Sequence, residues 1–247
     1  MKFKKLLVLS ALWLSSLGVW AVDGGVWVKP AFPAIPEVSQ FTTYEAVTTA
    51  DEGAEKAVYL YNVATHLFYS SGNNWGTHAS IISADNSKDA VPTGECIRGS
   101  KVYFLSSSEA VAKGADVVEL KTWVYKFNEF RSAFGGNSGV GDCWTDNNGR
   151  DDRFWKVTDA GNQTYRISNV KNYTNFFLGW DPNAADTRLS LLDPAAPEVA
   201  VDWKLVPADA YDTWYSNVTE EMFKAIQDWQ SARLQYNAAM KLKDALE

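Results

Sequence analysis

The chain is poor in the residues that hold metals and carry covalent chemistry. Its 247 residues include two cysteines, Cys96 and Cys143, and two histidines, His66 and His78. Neither pair has the close spacing of a tetrahedral zinc site, which excludes a structural zinc module. So few cysteines also exclude a disulfide-dense scaffold; a Cys96–Cys143 bond and two buried thiols both fit the spacing. A glycine-rich phosphate loop is missing, so no cofactor is called for. Basic residues are outnumbered, 23 Lys and Arg against 30 Asp and Glu, for a net charge of −7. Nucleic acid and anionic membrane both need a basic face, so neither is an expected partner. What the chain has in plenty is aromatic residues, with 11 Trp, 11 Tyr and 12 Phe. At 46% hydrophobic it can bury a core and is not a disordered chain.

The only long apolar run is at the start. Lys2, Lys4 and Lys5 precede an apolar stretch from Leu6 to Val19, and Val19-Trp20-Ala21 fits a signal-peptidase site. Residues 1–21 therefore read as an export signal, too short for a membrane span. A mature chain from Val22 loses three lysines, which takes the charge from −7 to −10. It would be periplasmic, cell-surface or secreted, with no membrane insertion. Residues 22–56 read as an extended tether: Pro30, Pro33 and Pro36 favour a polyproline-like path, and small and acidic residues follow through Glu55.

From Ala57 to Asp209 the pattern is β. Short runs of strand formers such as Val58-Tyr59-Leu60-Tyr61, Thr122-Trp123-Val124-Tyr125 and Thr164-Tyr165-Arg166-Ile167 alternate with turn clusters at intervals of about 8–12 residues. Two strand endings match, Phe154-Trp155-Lys156-Val157 and Asp202-Trp203-Lys204-Leu205, with the tryptophans 48 residues apart. A looser third copy passes through Val102-Tyr103-Phe104-Leu105, 51 residues before Trp155 if Phe104 takes the tryptophan's place. Tyr59–Val63 also aligns with Tyr165–Val170, and Phe68-Tyr69 with Phe176-Phe177. A fixed period of this length predicts three copies of a four-stranded unit.

The Trp-Lys-Val and Trp-Lys-Leu endings resemble the closing Q-x-W strand of ricin-type β-trefoil lectin repeats. The family's Gln is absent: Arg153 and Val201 stand two residues before the tryptophans. The run Tyr59–Val63 with Gly72-Asn73-Asn74-Trp75-Gly76-Thr77-His78 resembles a segment near the start of large exported bacterial surface proteins. The resemblance covers residues 57–209. It implies an all-β, β-trefoil-like barrel of three imperfect repeats with a cap, and shallow sugar sites in the turns.

Three turns combine tryptophan with short polar groups. They are Asn74-Trp75 with His78, Asp142 with Trp144, and Trp180-Asp181 with Asn183. The C–H face of a pyranose stacks on an aromatic ring, while Asp and Asn meet its hydroxyls. The same residues also make ordinary turns and core plugs. Trp180 is favoured, because Asp181 follows it directly and Pro182 stiffens the loop.

Catalysis has less support. Gly136-Asn137-Ser138-Gly139 resembles the serine turn of chymotrypsin-like proteases, but His66 lies only 72 residues upstream, too near for that double barrel. Asp146 to Asp152 lacks the alternating acids and final Glu of a calcium loop. Beyond the barrel, Asn217 with Glu220 reads as a helix cap, and Met222, Ile226, Trp229, Tyr236 and Met240 share one helical face over 217–247. The sequence therefore reads as a secreted, non-catalytic, lectin-like protein whose partner is a glycan or glycoconjugate. The alternative is a structural or protein-interaction module acting through its C-terminal helix.

Overall fold

The computed structural model describes residues 40–65, 67–73, 78–82, 99–136, 143–172, 174–181 and 188–217. It also describes 22–23, 26–27, 235, 238–240 and 242–243; for 22–23, 26–27, Asn73, His78 and Ile82 the backbone alone is described. The expected export signal lies outside the described residues, as does most of the stretch from 218 onward. The chain divides into two compact units. One comprises residues 1–33, 88–91 and 216–247, and includes the short antiparallel pair β1 (Val22–Asp23) and β2 (Val26–Trp27).

The other unit, residues 34–87 and 92–215, contains the β domain. It opens with β3 (Ala46–Val47) and helix α1 (Ala50–Glu55). Twelve strands follow in three sets of four. The first repeat is β4 (Val58–Asn62), β5 (Phe68–Asn73), β6 (His78–Ile82) and β7 (Lys101–Leu105). After helix α2 (Ser108–Lys113), the second is β8 (Val117–Val124), β9 (Glu129–Phe134), β10 (Trp144–Asp146) and β11 (Phe154–Gly161). The third is β12 (Thr164–Asn169), β13 (Phe177–Gly179), β14 (Ser190–Leu192) and β15 (Trp203–Pro207).

The first and fourth strands of each repeat close a six-stranded barrel. Antiparallel pairing runs β4–β7–β8–β11–β12–β15 and back to β4. The second and third strands form three hairpins, β5–β6, β9–β10 and β13–β14. The chain is thus an all-β, trefoil-like barrel of three imperfect repeats. Closure removes the open sheet edges that would otherwise template pairing with other chains. Its interior holds Leu60, Phe104, Leu120, Trp155, Ile167, Trp203 and Leu205, all buried. Each buried tryptophan removes about 200 Å² from water, roughly 5 kcal/mol of transfer free energy before ordering costs.

The pairing fixes which residues are equivalent. Val58, Val118 and Tyr165 in the first strands pair with Val102, Trp155 and Trp203 in the fourth. Four residues later, Asn62, Thr122 and Asn169 pair with Trp203, Val102 and Trp155 of the adjacent repeats. The third copy of the tryptophan position is therefore Val102, two residues before the Phe104 that sequence spacing suggests. Phe68 likewise matches Phe177 rather than Phe176, because both pair with the residue just before the conserved-place asparagine. Insertions outside the strands shift linear spacing without shifting the hydrogen-bond register.

Two stretches differ from the sequence expectation. Residues 40–56, read as tether, carry β3 and α1. Thr42 bridges Leu205, β3 pairs with β7 in parallel, and the Tyr44 ring packs edge-on against Phe104 at 4.9 Å. Acidic composition hid the helix, but Thr49 caps it by accepting from the Glu52 N–H, and acids in its first turn suit the helix dipole. Near the other end, residues 208–217 are already helical, so Asn217 lies within a helix instead of capping one. Tyr211, Trp214 and Tyr215 recur at helical spacing, and Tyr211 stacks on Tyr59 at 3.6 Å.

Candidate functional site

The third strands of the repeats begin together. The Ala79 N–H donates to the Cys143 carbonyl at 3.0 Å, and the Leu189 N–H donates to the Ala79 carbonyl at 2.9 Å. All three residues are buried. They mark the pseudo-threefold axis, and His78 pairs with Trp144 directly beside it. Two of the turns picked out in the sequence fall between second and third strands, after β5 and after β13, whereas in the second repeat only Asp142 precedes β10 and Trp144 begins that strand. Asn74, Trp75, Asp142 and Asn183 lie outside the described residues, and His78 is described by its backbone at the start of β6.

Trp144 and Trp180 can be placed fully, and both are half-buried. The equivalent cross-strand pairs at the hairpin ends are Ser70–Ser80, Phe134–Trp144 and Gly179–Ser190. Serine therefore fills the Trp144 position in the other two repeats. Trp180 has Ser71 and Gly135 as its equivalents: the Trp180 and Gly135 N–H groups donate to the carbonyls of Ala200 and Asp152, both at 3.1 Å. The Ser71 N–H donates instead to the Ser100 hydroxyl at 3.0 Å. At Gly135 a Cβ would meet the Trp155 ring at 2.7 Å, so that position must stay small. Neither tryptophan fills a place that the repeat architecture reserves for a large residue.

The Phe134 ring stacks on Trp144 with centroids 5.0 Å apart, and the Arg150 guanidinium lies 5.5 Å from the indole. Around this pair the loop after β10 folds on its own polar groups. Asp146 accepts from the Asn147 N–H and from the Asn148 side chain, both at 2.7 Å. Glu129 accepts from Arg131 at 2.7 Å and from the Asn147 side chain at 3.2 Å. Arg150 holds Asp152 through two bonds, at 3.0 and 2.5 Å, and that pairing raises the guanidinium pKa further. The Asp146 oxygens take one donor each here and can accept a second, whereas one Glu129 oxygen already holds both Arg131 and Asn147 and the Asp152 carboxylate is buried. Glu129, Arg131 and Arg150 were missed in the sequence because the β8–β9 turn and the loop after β10 meet only in the fold.

Beside Trp180, Gly179 lets the chain approach the strand leading to Trp203: a Cβ there would meet the Ala200 carbonyl at 2.6 Å. Asp181 is half-buried next to it. The tryptophans of the matching strand endings have a different task. The Trp155 and Trp203 indoles donate to the carbonyls of Ala133 and Leu178, each at 2.8 Å, and both side chains are fully buried. Arg153, where the lectin repeat has Gln, is buried too; it donates to the Arg150 carbonyl at 2.9 Å, pairs with Glu109 on α2 and lies 3.4 Å from Glu119. It ties α2 to the barrel wall. Among the described residues, no cluster of His, Cys, Asp and Glu has the makings of a metal site, and no helix is long and apolar enough to cross a membrane.

No protein-family profile matches the sequence, and no curated protein is similar to it. Several solved structures are similar at 12% identity. Cry35Ab1 has a TM-score of 0.44 over 62% of this chain, which spans only 36% of Cry35Ab1. The designed threefold-symmetric protein ThreeFoil has a TM-score of 0.40, covering 61% of this chain and 97% of its own. SeviL bound to asialo-GM1 saccharide has a TM-score of 0.40, with 62% and 98% covered. The fold assignment rests on the strand pairings above.

Proposed function

We propose that this protein is a non-catalytic, lectin-like binder of glycans or glycoconjugates, exported from the cell, and that Trp144 and Trp180 with their neighbouring Asp and Asn groups form the contact surface. One observation carries the reading. Two half-buried tryptophans occupy repeat positions where the same fold elsewhere uses Ser or Gly. An aromatic that the other repeats replace with Ser or Gly, half-buried against the core at Trp180 and two residues from the Asp146 carboxylate at Trp144, suits the mixed apolar and polar surface of a pyranose. Trp75, Asn74, His78, Asp142, Asp181 and Asn183 complete the proposed set on the three turns.

The test is a glycan array probed with the wild-type chain and with Trp144→Ser and Trp180→Ser, which copy the other repeats. A hit weakened about tenfold or more in at least one variant, with unchanged melting temperature, supports the reading. A blank array from folded protein overturns it. A second reading, a protein-interaction module acting through the C-terminal helix, has one observation in its favour: Met240 and Leu242, in helical residues, are 36% and 58% exposed. Loss of a partner on Leu242→Asp, with a blank array, would select it.

A further inference from the structure

The repeats differ in one more respect. Among the described residues of the first and third, first and second strands pair through Tyr61 with Phe68 and Ser168 with Phe177. In the second the pairing runs three pairs further, through Thr122–Arg131, Trp123–Phe130 and Val124–Glu129. This extension is not needed to close the barrel. It brings out Trp123 and Phe130, which meet edge-on at 5.1 Å, and ends in a tight turn with Asn128 at φ 54°.

The extended hairpin forms one wall of a groove of about 420 Å³ lined by Ala54, Lys101, Trp123, Tyr125, Asn128 and Phe130. Its walls are fixed. Phe130 also meets Tyr103 edge-on at 4.9 Å, and the Tyr125 hydroxyl donates to the Gly99 carbonyl at 2.9 Å. The polar groups are Asn128, exposed at the turn, and Lys101, whose ammonium lies 3.0 Å from the Asp212 carboxylate. The volume is in the range of small-molecule sites.

We infer that this groove is a second binding site, separate from the turn tryptophans, for one uncharged hexopyranose unit. The aromatic wall offers faces and edges to the sugar's C–H groups. Lys101 and Asn128 donate to hydroxyls, and the Asn128 side chain also accepts. Charge decides between sugar classes. The Lys101 cation is already matched by Asp212, so an acidic sugar entering here would face that carboxylate and disrupt the pair. A hydroxyl joins the pair without disturbing it.

The test uses the full chain labelled with 5-fluorotryptophan, with the Trp123 resonance identified as the one missing in Trp123→Phe. Fluorine spectra are recorded during titration with methyl pyranosides of glucose, galactose, mannose and N-acetylglucosamine, and with N-acetylneuraminic acid. The expected result is a saturable shift of the Trp123 signal by at least one neutral sugar. Lys101→Met should weaken it about tenfold, and Trp144→Ser should leave it in place. A Trp123 signal that stays still while Trp144 or Trp180 moves overturns the groove and leaves the turn site standing. A shift caused only by N-acetylneuraminic acid overturns the neutral-sugar assignment, and an unaltered affinity in Lys101→Met overturns the role of Lys101. If no tryptophan signal moves with any sugar, the groove falls, and the glycan array decides the turn site separately.

Discussion

The backbone N–H of Ser100 donates to the Tyr69 carbonyl at 3.0 Å. Tyr69 is the first-repeat equivalent of Ala133 and Leu178, whose carbonyls accept tryptophan indoles. The first repeat has Val102 in the tryptophan position, so the backbone takes over the indole's hydrogen bond. The missing volume returns from the other strand. Tyr69 is larger than Ala133 or Leu178, is fully buried, and reaches toward Thr122, the cross-strand partner of Val102. A buried carbonyl must be paired, but which donor pairs it is open to exchange.

That exchange can be tested by putting the tryptophan back. Val102→Trp alone should cost about 1–3 kcal/mol by overpacking against Tyr69. Combined with Tyr69→Ala it should cost clearly less than the two single changes added together. Urea unfolding of the four proteins measures the coupling, and strict additivity would count against exchanged volumes.

Acid sensitivity should centre on Glu119. Burial opposes its charge, but hydrogen bonds from Ser107 and Lys121, and the charges of Lys121 and Arg153, prevail and hold its pKa below 4.5. Its contribution is therefore complete above pH 4.5 and lost as pH falls through the folded value. Glu119→Gln should cost about 1–3 kcal/mol at neutral pH, by removing the carboxylate shared by Arg153 and Lys121, which keep Glu109 and Ser132 as partners, and should flatten the acid limb of stability. Urea midpoints measured from neutral into acid pH check both.

At high pH Tyr44 is one of several wholly or partly buried tyrosines whose ionisation is held back, with Tyr59, Tyr69 and Tyr103. Burial, with a smaller contribution from Asp116, pushes the Tyr44 phenol up from 10.0 to about 12. The stability linked to it is complete below pH 10.0 and lost as pH rises through about 12. Tyr44→Phe should remove one late component from the phenolate absorbance titration. A titration curve identical to the wild type would show that Tyr44 ionises with the exposed tyrosines.

Gly53 tests whether residues 40–56 belong to the β domain. A Cβ at Gly53 would run into the Tyr103 ring, with Cγ at 2.7 Å. Gly53→Val should therefore cost about 1–3 kcal/mol, although it lies in a stretch that reads as tether. A mutant as stable as the wild type would restore the tether reading.

The three-repeat barrel was legible because strand composition and turn spacing are local, and two of three closing tryptophans survive in the sequence. The turn residues Trp144, Trp180 and Asp181 are proposed on the same local ground, since each sits beside its own turn residues. The register of the first repeat was not legible, because Val102 and Tyr69 lie 33 residues apart in the chain and exchange volume only once folded. Glu129, Arg131 and Arg150 join the Trp144 neighbourhood through hairpin pairing, and the Trp123 groove exists only where an over-long hairpin passes Lys101 and Ala54. Period-2 patterning and turn chemistry act within a few residues, and so determined that there would be a repeated β fold with aromatic turns. Which aromatics became core and which stayed half-open was decided by strand register and barrel closure, long-range pairings that no local pattern encodes.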